Sequence, residues 1–181
     1  MRSDHGKGVF AGAIRAASLG AAAGVIGTLA FDRFLYRRYR REGGDSGFAD
    51  WETSAGVVSW EDAPAPAKVG KRLLEAVLGR ELPPESARPV NNVTHWAYGI
   101  QAGVLYGLVV GSLRSSKVWY GIPFGAGVWA SGYVVLPVLG VYRPIWEYDR
   151  ETLAKDLSGH LVYGLATAMA FRLLSPGRGA R

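Results

Sequence analysis

Two long runs of this chain contain no Asp, Glu, Lys or Arg: Val93 to Leu113 and Val118 to Tyr142. A helix of roughly 20 apolar residues is what crosses the ~30 Å hydrocarbon core of a bilayer. Helices are also the open-chain structure that satisfies every backbone group internally there. The runs therefore predict membrane-spanning helices. A third apolar stretch, Ala16 to Phe31, has Gly8–Ile14 as a weaker lead-in and is interrupted by Arg15, which can snorkel to the near interface. A fourth runs from about Asp156 to Leu174 and is closed by Arg172, Pro176 and Gly177. The expected architecture is all-α: a single integral membrane domain with spans at 14–35, 93–113, 118–142 and 156–174. Ala21-Ala22-Ala23 resembles a signal-peptide cleavage site. The apolar run continues past it into Arg37, Arg38, Arg40 and Arg41, as in a retained anchor.

Between spans one and two lies a polar loop, 36–92, with Gly43-Gly44 and Pro64, Pro66, Pro83, Pro84 and Pro89 as turn signals. One helix is expected inside it, at 66–79. Val69, Leu73, Ala76 and Val77 recur at helical spacing, and Lys68, Lys71, Arg72 and Arg80 supply positive charge. Such a helix either lies on the membrane surface or caps the bundle with its apolar face.

Mean hydropathy is only +0.06, an average that hides the windows. Net charge is +6. In a membrane protein that excess suits anionic lipid at the loop residues. A nucleic-acid partner is not expected, because Glu42, Asp45, Asp50, Glu52, Glu61 and Asp62 interleave with the cations. Basic residues near the span ends favour the polar loops slightly over the side that carries Arg114 and Lys117, which places the loops inside. The chain has no Cys, so thiolate chemistry and disulfides are excluded. No internal repeat, phosphate-binding loop or Ser-His-Asp spacing is visible, and no catalytic residue is assigned.

Gly99, Gly103, Gly107 and Gly111 recur every four residues and make one smooth ridge, a glycine zipper pattern. Gly121 and Gly125, and Gly20 and Gly24, begin similar ridges. In lipid, close backbone approach drives helix association in place of apolar burial. The ridges predict tight packing within the chain or, alternatively, a homo-oligomer sealed by glycine faces.

Polar residues recur at one depth. Asp32 ends span one, His95 begins span two, and Asp156 and His160 begin span four on one helix face. Three readings fit this layer. It ties helices together by carboxylate–imidazole bonds. It binds haem through His95 and His160, or a metal with Asp32 and Asp156 added. Or it binds and transfers protons. Tyr98, Tyr106, Trp129, Tyr133 and Tyr163 are candidate cavity residues.

The runs His95-Trp-Ala-Tyr98-Gly99, Gly103-Val-Leu-Tyr106-Gly107, Gly121–Gly125 with Trp129, and His160-Leu-Val-Tyr163-Gly164, with the opening Gly24–Thr28 and Asp32, resemble the YagU-like bacterial inner membrane proteins. That resemblance implies a multi-pass protein of the plasma membrane without an assigned mechanism, one branch of which is associated with acid-stress resistance. It supplies no catalytic residue. Two further classes stay open: a small channel or proton-coupled carrier, and a haem- or metal-binding redox subunit.

Overall fold

A computed structural model describes residues 2–113 and 115–175. Arg114, Pro176, Gly177 and the C-terminal cations lie outside the described residues. Every regular element among them is helical: α1 (Arg2–Arg41), α2 (Phe48–Glu52), α3 (Ala65–Leu78), α4 (Ala87–Ser112), α5 (Gly121–Val138) and α6 (Arg150–Leu174), with three short 3₁₀ turns.

Among the described residues, three helical segments are long and apolar enough to cross a membrane: Gly8–Arg41, Val118–Val138 and Arg150–Leu174. Helix α4, the expected second span, is 26 residues long but does not join them. Its length suffices. Its glycines, His95, Gln101 and the tyrosines lower its mean hydropathy, because residues chosen for close approach add little apolar surface. Helix boundaries also differ from expectation. Helix α1 runs on to Arg41, six residues past the expected end, and α6 begins at Arg150. There the Asp149 carboxylate accepts hydrogen bonds from the Thr152 amide (2.8 Å) and hydroxyl (2.7 Å), an N-terminal cap that the uncharged window could not reveal. Pro123 falls in the first turn of α5, where its missing N–H is no loss.

The contacts divide into two compact units. The first contains α1 as far as Phe31, Gly99–Val128, and residues 157–175. It is a four-helix bundle packed through small residues. A Cβ on Gly24 would stand 2.6 Å from the Gly99 carbonyl oxygen, and one on Gly20 would stand 2.9 Å from Gly107 Cα. Residue numbers rise along α1 as they fall along α4, so the pair is antiparallel. Gly121 and Gly125 of α5 meet Gly164 and His160 of α6 in the same way. Around these seams Ala23, Tyr106, Val110, Ala168, Ala170 and Phe171 form the core. Large apolar side chains point outward: Val9, Phe10, Ile14, Leu105, Val109, Met169 and Leu173 are exposed, as lipid-facing residues are.

Tyr163 of α6 is buried, and its hydroxyl donates to the Gly99 carbonyl at 2.7 Å. Tyr163→Phe removes that bond and leaves the carbonyl's helical bond. The expected cost is about 1 kcal/mol, within the range for one interhelical hydrogen bond in a membrane protein. It would be read as a lower midpoint in detergent-titrated unfolding; an unchanged midpoint would show that the bond contributes nothing.

The second unit contains Asp32–Tyr98 and Trp129–Asp156. Here α3 packs on α4 through Ala67 and Gly70, both buried. A side chain at position 70 would run into Val90 (2.5 Å) and Thr94. Of the two sequence readings for this helix, capping uses only that narrow edge. Leu73 is 59% exposed and Val77 is 84% exposed.

Candidate polar site

The short helix α2 sits between α1 and α4, and sequence explains both attachments. Toward α1 it offers aromatics: Phe48 and Trp51 pack on Tyr36 with ring centroids 5.2 and 5.6 Å apart. The Arg33 guanidinium lies 3.9 Å over the Phe48 ring. Toward α4 it offers backbone acceptors. The Thr53 carbonyl receives Arg88 Nε at 2.9 Å and Asn92 Nδ2 at 3.0 Å. Asn91 Nδ2 donates to Ser54 Oγ at 2.9 Å, and Ser54 takes a left-handed φ of 51°. Clamped on both sides, α2 delivers its last residue, Glu52, to the junction of α1 and α4.

Asp32 is waiting there, 3% exposed. Both its carboxylate oxygens lie within hydrogen-bond reach of His95 Nε2, at 3.0 and 3.1 Å. The Glu52 carboxyl faces Asp32, His95 and the Trp96 indole. Its Oε1 is buried without a hydrogen-bond partner among the described residues. Burial, reinforced by the charge of Asp32 and opposed by His95, pushes the Glu52 carboxyl up to about 7. A buried carboxyl beside a second carboxylate gives up its proton reluctantly. The cluster is therefore a place where a proton is held near neutral pH.

The four residues expected at one depth have separate partners. Asp32 and His95 pair. Asp156 interacts with Tyr133 of α5, whose ring also packs on Tyr142 and Tyr148. In the first unit the His160 ring stands edge-on to Phe31, centroids 5.2 Å apart. Among the described residues no group of three or more His, Cys, Asp or Glu could hold a metal ion. The Nε2 that a haem iron would take from His95 is held by Asp32.

The aromatic candidates serve mainly in packing. Tyr106 is buried against Phe124 and Phe171, Trp129 packs on Tyr133 with the two rings tilted, and Tyr98 shares a 3.1 Å hydrogen bond with Ser131. Gly111, near the end of α4, is half-buried.

Sequence reasoning missed Glu52. It sits in a polar loop among other acids, and nothing in its spacing separates it from them. Its neighbour Trp51 is the one signal, because an aromatic in a glycine-rich loop marks an anchored segment.

Residues 84–169 match a family model described as a protein of unknown function (DUF1440). The chain is similar to that family over α4, α5 and most of α6. No curated protein and no solved structure matches it. The matched segment contains His95 and His160. Asp32 and Glu52 lie outside it, so the carboxylates of the polar site are contributed by the part of the chain that precedes the match.

Proposed function

We propose that this is a multi-pass protein of the bacterial inner membrane, YagU-like in kind, that binds a proton at Asp32, His95 and Glu52 and contributes in this way to acid tolerance. The observation that carries the proposal is the buried Asp32 carboxylate, bonded through both oxygens to His95 at 3.0 and 3.1 Å, with a second carboxyl beside it. Buried ionisable groups at the edge of a membrane are expensive and tend to mark function. The three membrane-length apolar helices support a membrane protein, the matching family carries no assigned function, and the acid-stress role comes from the YagU-like resemblance.

The site predicts a pH dependence whose sign is fixed by Glu52. Its folded pKa is raised from 4.5 to about 7. The folded state thus binds the proton more tightly than the unfolded state. The resulting stabilisation is complete below about pH 4.5, declines through the interval up to about 7, and is absent above it. Thermal midpoints in detergent should fall as pH rises from 5 to 7. Glu52→Gln, which mimics the protonated acid, should flatten that slope. Trp96, beside Glu52, supplies a second readout: a fluorescence transition near pH 7 in the parent protein and none in Glu52→Gln. Superimposable curves for the two proteins would sink the proposal. The same pair in proteoliposomes loaded with a pH dye separates a sensor from a carrier, since a proton flux lost in Glu52→Gln assigns the site to transport.

A further inference from the structure

Helix α3 divides its surface unequally. One edge, Ala67 and Gly70, is buried on α4. The polar side carries Lys68, Lys71 and Arg72 against the single carboxylate of Glu75, and lines a groove of about 240 Å³ with Trp60 and Gly140. Lys71 is partly engaged there, 3.8 Å from Glu75 and 5.2 Å above the Trp60 ring. The remaining side is apolar and uncovered: Leu73 is 59% exposed, Val77 84% and Leu78 50%. In water, a row of aliphatic side chains beside three cations would be a poor surface to leave open.

The chain places this helix at a membrane surface. It lies in the segment that joins the end of α1 to the start of α4. Arg72 Nη2 reaches the Gly140 carbonyl at 3.5 Å, just past the end of α5. One of the helical segments able to cross a bilayer, Val118–Val138, therefore ends beside α3. A helix with an open aliphatic face, flanking cations and a bilayer next to it has the form of an interfacial helix.

We propose that α3 lies in the headgroup boundary of the membrane, with Leu73 and Val77 inserted between acyl chains and Arg72, Lys68 and Arg80 facing anionic phospholipid. The proposal rests on the membrane-spanning reading of α1, α5 and α6. Its chemistry follows from the two halves of the helix. Insertion removes Leu73 and Val77 from water. The cations sit where anionic headgroups concentrate.

The absence of cysteine makes the test direct, because any introduced thiol is labelled alone. The variants Leu73→Cys, Val77→Cys and Lys68→Cys, each carrying an environment-sensitive fluorophore, are reconstituted in phosphatidylglycerol vesicles and in phosphatidylcholine vesicles. Labels at 73 and 77 are expected to shift to the blue, to be quenched by spin-labelled lipid and to resist aqueous iodide, more so in phosphatidylglycerol. The label at 68 is expected to show the opposite pattern. Val134→Cys on α5, 67% exposed, is the control for the spanning reading. Lipid quenching at 134 with iodide quenching at 73 and 77 overturns the interfacial helix and leaves the spans intact. Iodide quenching at all three positions overturns both. Disulfide formation between two Val77→Cys chains without lipid quenching makes the face a contact between copies and also overturns the proposal.

Discussion

Gly103→Leu is expected to destabilise the protein by roughly 3 kcal/mol or more, the upper range for overpacking a close contact. A Cβ at position 103 would lie 2.5 Å from Gly24 Cα and 2.8 Å from Gly24 N, and would also strike the Gly20 carbonyl. All three are backbone atoms of a helix, which cannot rotate aside as a side chain can. The helices must separate. As they do, the contacts of Gly20 with Gly107 and of Gly24 with Gly99 are lost along the same seam. Intrinsic propensity works the other way, since leucine favours helix over glycine by about 1 kcal/mol. The sign of the result therefore decides which effect dominates. Gly127→Leu is the matched control: a Cβ there meets nothing within 4 Å. Detergent-titrated unfolding of the two variants should separate them clearly. Equal midpoints would mean that α1 and α4 do not meet through Gly103. No pore or oligomer enters this prediction, because the clash is wholly within one chain.

The contrast between Gly103 and Glu52 shows what a sequence of this kind discloses. The charge-free runs at 93–113 and 118–142 announce α4 and α5, because a bilayer imposes length and polarity together. The ridge of Gly99, Gly103 and Gly107 announces a close approach, because only small residues permit one. The ridge does not say which helix comes near. That it is α1, running antiparallel through Gly20 and Gly24, depends on how the loops let the helices return. The same limit applies to charge. Asp32 and His95 stand out because they are ionisable groups in apolar surroundings. Glu52 does not, because it lies among acids in a polar loop, and its burial comes from an aromatic anchor on α1 and hydrogen bonds to Arg88, Asn91 and Asn92 on α4. Those contacts are long-range in sequence and carry no period. Helix α4 is a milder case of the same conflict, since the small and polar residues that fit it for packing weaken its hydropathy signal.

His95→Ala is expected to be the second large effect, and the one that tests the polar site directly. It leaves the Asp32 carboxylate, whose side chain is 4% exposed, without its partner at 3.0 Å. Removing one member of a buried pair costs about 3–5 kcal/mol. The His95 side chain is 28% exposed, so water can reach the vacated space and the lower end of that range applies. Asp32→Ala removes the charge that demanded a partner and should cost less than His95→Ala. The double variant should cost less than the sum of the two, with a coupling of about 1–3 kcal/mol, as for residues that touch. Additivity within about 0.5 kcal/mol would show that the two side chains act independently. The cycle also bears on Glu52. The charge of Asp32 helps to push the Glu52 carboxyl up, and His95 opposes it. Removing His95 should therefore strengthen the hold on the Glu52 proton, and removing Asp32 should weaken it. The Trp96 fluorescence transition should move to higher pH in His95→Ala and to lower pH in Asp32→Ala. A site that merely fastens α1 to α4 predicts two losses of stability with no such opposed shifts, so the direction of the two transitions separates a proton-binding site from a structural tie.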